Sequence, residues 1–404
     1  MKQSLMIVSP LPPAWSGIAT YAAHLLPYLA ADWDVTVMVA DDETVDATRF
    51  PGVEVIHASS WGWRRAIGRF DRILFCLGNS PAHRHVPGLV ARHGGVVLAH
   101  DVRLNALQAR LSIEDADRHR MSKLVEAHHG PQLAVEIRAL EYIGSLRERF
   151  AAIRQRLDRA NTFLLHPSSE GASSIVVHSE FAARLARLDT SHHVPVTVVP
   201  FGHPEPREAR DAIGASAART VVSTFGFVAP EKDAVLLVDS VACATAVFGC
   251  DLELRFVGHC DPEYRTLLGA RADARGVGDR VVFVGRADDR TYEAELDNAG
   301  VAVQLRASAN GEASAAVADC LSAGVPTVVT GIGGQRELPD NAVRKVPPGA
   351  APELIGGVIA ELVADGQLRR GMSDGARTFA QSASFASAAE ALGSVLRKSP
   401  PPRL

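Results

Sequence analysis

Short uninterrupted apolar runs recur along the chain. Each is closed by glycine, proline or small polar residues, and most are followed by a longer stretch with helical spacing. In the first half the runs cover residues 4–9, 35–39, 73–77, 96–99, 175–177 and 196–199; in the second they cover 220–224, 252–257, 281–284, 301–305 and 325–330. Runs this rich in Val, Ile and Leu suit strands covered on both faces, and the intervening helices supply the crossovers that parallel strands require. The halves also open alike. A strand at 4–9, a Pro/Gly loop (PLPPAWSG) and a helix over about 18–29 lead to the strand at 35–39; the strand at 220–224, a loop at 225–230 and a helix over 231–247 lead to the strand at 252–257. The pattern predicts an α/β chain of two Rossmann-like, doubly wound parallel-sheet domains.

Residues 104–161 break the alternation: the spacing is helical, the surface charged and no strand is evident, so a helical excursion is expected inside the first domain, shaping an acceptor pocket. HPEPREARDA, following Phe201, reads as a linker. It divides the chain into domains at 1–203 and 204–384, with 385–404 forming a last helix and a Pro-rich tail expected to be disordered. A length of 404 residues suits two domains of ordinary size.

Composition removes several function classes. A net charge of −4 lacks the basic excess of a nucleic-acid binder. Five cysteines without a CxxC pair indicate neither a disulfide framework nor a zinc site, which fits a reducing cytoplasm. The first eight residues are too short for a signal-peptide core, and no segment has transmembrane length. Trp61, Trp63, Arg64, Arg65, Arg69 and Phe70 form either an ordinary amphipathic helix or a surface for weak peripheral membrane contact.

Candidate chemistry gathers at the ends of the expected strands. In residues 301–337 a strand, a helix from about Glu312 to Gly324 and a second strand form a βαβ unit. On that helix Glu312 and Asp319, seven residues apart, would project from one side about 10 Å apart along the axis. There they could accept hydrogen bonds from sugar or ribose hydroxyls, or be a solvated face. Lys232 is expected in the first turn of its helix, where a cation is unfavourable unless an anion such as a diphosphate sits at the helix N-terminus; Glu231 and Asp233 offer an alternative offset. Gly17 opens the first helix and admits a close backbone approach, for a ligand or for a tight turn. His100 and Asp101 end the strand VVLAH at the carboxyl edge where open α/β sheets bind ligands; Asn79, His83, His178 and Ser179 stand at neighbouring strand ends. Two motifs fail. DWD at residues 32–34 precedes a strand instead of ending one and reads as a turn, and GIGG at 331–334 has Arg336 where a dinucleotide fingerprint needs its third glycine.

Taken in order, SPLPPAWSGIATYAAHLL, AHD ending at Asp101, VVHSEFAARL, VVPFG, FGFVAPEKD, two FVG triplets and NGEASAAVADCLSAGVPTVVT resemble the retaining nucleotide-sugar glycosyltransferases of GT-B architecture. That large family includes sucrose synthases and bacterial mannosyl- and glucosyltransferases, and the resemblance spans nearly the whole chain. It implies two domains facing a central cleft and transfer of a hexose from a nucleoside-diphosphate sugar to an acceptor hydroxyl with retention, without metal or cofactor. His100, Asp101, Lys232 and Glu312 would form the catalytic set. Gly17, Gly226, Phe227, Lys232, Arg306, Gly311, Glu312, Ser314 and Asp319 would meet the donor, with Lys232 on the diphosphate and Asp319 on the ribose. Asn79, His83 and His100 would meet the acceptor.

Two departures accompany the resemblance. Phe227 follows Gly226 where the family commonly has Arg, and Arg306 is expected to supply the missing cation. Of the family's paired glutamates, the first falls on Gly311, with Glu312 one place later, and the second is Asp319. The alternatives on this architecture are a nucleotide-sugar epimerase, a phosphorylase, or a non-catalytic nucleotide-sugar-binding protein.

Overall fold

The computed structural model describes residues 2–14, 16–59, 70–191, 193–208 and 219–403. Trp61, Trp63, Arg64, Arg65 and Arg69, the candidate membrane-facing set, lie outside the described residues, as do 209–212 at the end of the expected linker. The chain divides into two compact units, one comprising Met1–Pro200, Asn310–Ala313 and Ala386–Leu404, the other Phe201–Ala309 and Ser314–Phe385.

The first unit is built on a seven-stranded sheet of β1 (Gln3–Val8), β2 (Trp33–Val39), β3 (Glu54–His57), β4 (Arg72–Leu77), β5 (Val96–Ala99), β6 (Ser174–Val177) and β7 (Val196–Val198), in the order β3-β2-β1-β4-β5-β6-β7. Every pairing is parallel, with Ile7 of β1 opposite Val37 on one side and Leu74 on the other. β5 and β6 are buried along their whole length, as strands covered on both faces must be. Met6, Val8, Phe75, Val97, Ile175 and Val177 share one core. The order reverses direction between β1 and β4, which sets a topological switch point at their carboxyl ends.

Between β5 and β6 the chain is helical, over Asn105–Glu114, Arg120–His129, Pro131–Leu140 and Leu146–Arg159. These helices close a small core of their own from Met121, Val125, Ile137, Ile153 and Leu157. A capping box at Ser145 and Glu148 starts the last of them.

The second unit carries β8 (Thr220–Phe225), β9 (Leu252–Val257), β10 (Val281–Gly285), β11 (Val301–Gln304), β12 (Thr327–Thr330) and β13 (Val343–Val346), in the order β10-β9-β8-β11-β12-β13 and again wholly parallel. Counted from β8 this is the 3-2-1-4-5-6 order of the Rossmann fold, with its switch point between β8 and β11. The fold class is therefore the one the apolar runs predict. The runs do not reveal β3 and β13, each at one edge of its sheet.

Four local expectations are corrected. The helix expected from Glu312 spans Ala315–Ser322, because Ser314, with extended backbone, caps it by accepting from the Val317 N–H at 3.4 Å. Glu312 thus stands outside the helix, in a turn, and does not share a helical face with Asp319. Lys232 is not in the first turn of an α-helix either. Pro230–Lys232 form a separate 3-10 turn, and Asp233, in the left-handed region at φ 49°, interrupts the chain before the Ala234–Phe248 helix. The tail beyond Ser399, expected to be disordered, is tied to the first unit. Arg403 donates from its backbone N–H to His93 O at 2.7 Å and from its guanidinium to Gly171 O at 2.7 Å. Two of the three residues of DWD, Trp33 and Asp34, open β2 instead of forming a turn, while Asp32 ends the preceding helix and pairs with Arg397 at 2.7 Å.

Candidate functional site

Within the first unit, the carboxyl ends of β4 and β5 bring together the residues that the sequence places at strand ends. Asp101 Oδ2 accepts from the Asn79 N–H at 2.9 Å, and Asn79 Oδ1 accepts from the Leu107 N–H at 3.0 Å. Asn79 therefore couples the β4 loop to the first helix of the excursion, which occupies the side-chain oxygen the sequence reading reserves for an acceptor. His100 packs edge-on to Tyr21 with ring centroids 5.0 Å apart and lies 5.3 Å from the ring of His178. Its Nε2 has no hydrogen-bond partner among the described residues, and burial beside His178 and His83 holds its pKa well below the usual imidazole value. A neutral ring with an open nitrogen results.

His83, expected to reach an acceptor, has no exposed surface. It is pinned by Nδ1 against Cys76 O at 2.9 Å, and burial pushes its pKa down to about 4. It stands under the strand ends as a packing residue. His178 is likewise pushed to about 4, by burial that outweighs its contact with Val199 O. Ser179, at the next strand end, is spent on capping the Glu180–Asp189 helix through the Ala182 N–H.

Gly17 begins the Gly17–Asp32 helix, capped by Ser16 through the Ile18 N–H at 3.2 Å. A Cβ there would meet nothing within 4 Å among the described residues, and the backbone is not left-handed. Neither packing nor turn geometry within the chain requires glycine at this position.

The turn at residues 310–313 also belongs to the first unit. Asn310 O accepts from the N–H groups of Val102 and Arg103 at 2.9 and 3.0 Å, while Glu312 Oε2 accepts from the Asn310 N–H at 2.6 Å. Gly311, at φ 88°, lies so close to Val102 that a Cβ would sit 2.7 Å from its Cγ2. The charge of Glu312 acts on Arg103. Two stretches more than 200 residues apart in the chain, His100 to Arg103 and Asn310 to Glu312, are thus one structural element.

In the second unit the switch point carries a second cluster. Gly226 follows β8 with φ 92°, and Gly258, after β9, approaches it so closely that a Cβ on Gly258 would overlap the Gly226 carbonyl. Phe227 is about half exposed, beside His259, and with Thr224, Val228 and Lys232 it lines a water-sized void of about 10 Å³. The Ala307 N–H donates to Glu231 O at 3.1 Å, so the segments bearing Lys232 and Arg306 are bonded neighbours, and the Arg306 N–H is fixed on Thr330 Oγ1 at 3.0 Å. Asp319, on the capped helix, accepts at Oδ2 from the Tyr292 hydroxyl at 2.9 Å. Burial raises its pKa to about 6, against the smaller opposing effects of Tyr292 and Arg207. Tyr292, packed edge-on to Phe225, is held well above the usual phenol value by burial and by that carboxylate. Neither Tyr292 nor Arg207 is legible as a site residue from the sequence, because both come from segments distant in the chain without a motif.

Residues 207–379 match the family model described as glycosyl transferases group 1. The matched segment resembles a group 1 glycosyltransferase domain. It contains the Gly226 to Lys232 loop, Arg306 and the helix bearing Asp319, all at the carboxyl edge of its sheet. Solved structures of similar fold extend the likeness to the whole chain. Sucrose-phosphate synthase from Thermosynechococcus elongatus aligns at a TM-score of 0.67 and 18% identity, covering 98% of this chain and 99% of that one. HepE from Anabaena, in complex with UDP and glucose, aligns at 0.64 and 16%, covering 98% and 99%. WaaG, a glycosyltransferase involved in lipopolysaccharide biosynthesis, aligns at 0.59 and 13%, covering 98% and 100%. At these identities the likeness is one of fold, and that fold is GT-B. Among curated proteins no relative matches. No helix among the described residues is long and apolar enough to cross a membrane.

Proposed function

We propose that the glycosyltransferase domain binds a nucleoside-diphosphate sugar and that the chain transfers its hexose to an acceptor hydroxyl with retention of configuration, Lys232 and Arg306 balancing the diphosphate in place of a metal ion. The observation that carries this reading is the bond between Ala307 and Glu231, which makes neighbours of the segments bearing Lys232 and Arg306. Arg306 thereby takes the part of the arginine absent at Phe227. Asp319 would accept from the ribose hydroxyls, with Tyr292 holding its second oxygen in place. Crystal structures of HepE with UDP and with UDP-glucose support this donor class by analogy of fold.

In the first unit, His100 offers a neutral imidazole nitrogen to a sugar hydroxyl, and the Gly311–Glu312 turn, fixed on Val102 and Arg103, would meet the transferred sugar. Asp101 positions the β4 loop through Asn79. By the family resemblance, Gly17, where a Cβ would meet nothing within 4 Å among the described residues, would admit a diphosphate oxygen. The acceptor oxygen would attack C1 on the face the leaving group departs from. The C1–O bond to the β-phosphate breaks as the new bond forms, and the acceptor proton passes to the departing phosphate oxygen. Stabilising the leaving charge and fixing the two reactants would supply most of the rate.

The test is a thermal-shift screen of UDP, GDP, ADP, dTDP and CDP against the wild type, Lys232→Ala and Arg306→Ala. One diphosphate should raise the melting temperature, and each variant should lose about 10- to 100-fold in affinity, as expected for a charge-assisted contact. Binding untouched in Lys232→Ala would refute the donor assignment, and binding untouched in Arg306→Ala would refute the substitution. Transfer surviving chelator, with the product anomer read by NMR, checks metal independence and retention.

A further inference from the structure

The helical excursion carries a half-open cavity of about 210 Å³, lined among others by Ser112, Asp115, Arg118, Glu141, Arg149 and Ile153. None of these residues belongs to the strand-end clusters described above. The cavity has room for about seven waters at about 30 Å³ each, more than a lone ion needs.

Its acidic members are already engaged in hydrogen bonds. Asp115 accepts from Arg120 at 2.9 Å and from the Asp117 N–H at 2.8 Å, and these bonds hold its pKa below the usual carboxylate value. Glu141 is buried and accepts from the Ser122 N–H at 2.8 Å, from Ser122 Oγ at 3.0 Å and from His119 Nδ1 at 3.0 Å. The basic members are not. Arg118 donates only its Nε, to Glu141 O at 3.1 Å, and its guanidinium lies over the Tyr142 ring at 4.3 Å. Arg149 Nε is buried without any hydrogen-bond partner among the described residues. A buried guanidinium nitrogen facing a cavity without an acceptor is costly unless a ligand supplies one, and the planar fork of arginine matches phosphate oxygens.

We propose that this cavity binds the phosphate group of a phosphorylated molecule about the size of a sugar phosphate, with Arg149 and Arg118 as its two cationic contacts. The site is independent of the donor reading. Exposed Tyr142, Ile143 and Leu146 adjoin Glu141 in the chain, so the phosphate could be carried by a soluble metabolite or by a lipid headgroup. The chemistry recognised is the same.

The experiment is calorimetric titration of the full chain, saturated with UDP, with glucose 6-phosphate. It is paired with flotation on phosphatidylcholine vesicles with and without phosphatidic acid, using wild type, Arg149→Gln and Arg118→Lys. Arg149 is partly exposed at the cavity wall, and Arg118→Lys keeps the charge while losing the fork, so at least one variant tests the site in a folded protein. The expected result is saturable binding of one equivalent of glucose 6-phosphate, weakened about tenfold or more in Arg149→Gln and less in Arg118→Lys. Vesicle capture that needs both phosphatidic acid and Arg149, without sugar-phosphate binding, assigns the same site to a lipid headgroup. Binding of neither probe, or binding that Arg149→Gln leaves at full strength, overturns the proposal.

Discussion

Asp319 permits a quantitative test because its environment raises its pKa from 3.8 to about 6. Between those values the folded state holds a proton that the unfolded chain releases, so stability falls as pH rises through this window. The full contribution is present below pH about 4 and lost above pH about 6 to 7. A shift of about two units corresponds to about 3 kcal/mol. Because Asp319 keeps partial solvent access, the expected loss is about 1.5–3 kcal/mol. Asp319→Asn removes the charge while keeping an oxygen for the Tyr292 hydroxyl. The variant should match the wild type at pH 4.5 and exceed it at pH 8, by about 4–8 °C in melting temperature for about 2 kcal/mol in a domain of this size. The assay is differential scanning fluorimetry of both proteins across this range at constant ionic strength. A difference between variant and wild type that stays flat with pH, or a wild type that gains relative stability on going to pH 8, would refute the assignment of a buried, proton-holding carboxylate.

Three further outcomes are expected. If Asp319 meets the ribose, binding of a nucleotide sugar favours its ionised form, so affinity should improve up to about tenfold from pH 5 to 7.5 in the wild type and stay level in Asp319→Asn, measured by titration calorimetry. The rings of His83, His100 and His178, all with depressed pKa values, should stay neutral, so their Cε1 proton resonances should not move between about pH 5.5 and 8; a titration midpoint near 6.5 for His100 would contradict its buried neutral state. Gly258→Ala would force a Cβ onto the Gly226 carbonyl and should cost more than about 3 kcal/mol, read as loss of soluble protein or of the cooperative transition of the second unit, whereas Gly17→Ala should leave stability near the wild type and act on donor affinity alone.

How much of this was legible in the chain follows from which forces are local. The interior strands β1, β2, β4, β5, β6, β8, β9, β11 and β12 appear in the sequence because burial on both faces demands apolar runs, and hydrophobicity is a property of the residues themselves. Two of the four edge strands escape that rule. β3 is only partly buried along Glu54–His57, and β13 places the charged, partly buried Arg344 and Lys345 on its two faces, so their pairing is decided by neighbours and not by composition. Helix starts fail for a related reason. The helix after Glu312 starts where the Ser314 side chain meets the Val317 N–H, and Lys232 is cut off from its helix by the left-handed Asp233.

The site divides in the same way. The sequence alone determined which residues stand at the carboxyl ends of strands or in the loops and helices that follow them, because strand ends are marked by glycine, proline and small polar residues, and so Gly17, His100, Asp101, Gly226, Lys232, Arg306 and Asp319 could be named. Only the tertiary structure decided that His83 is buried packing, that Asn79 is spent on a helix N-terminus, that Tyr292 holds Asp319, and that Arg149 Nε is buried without a hydrogen-bond partner among the described residues. Each of these depends on desolvation and on partners brought close through space, and neither quantity is written in any local stretch of chain.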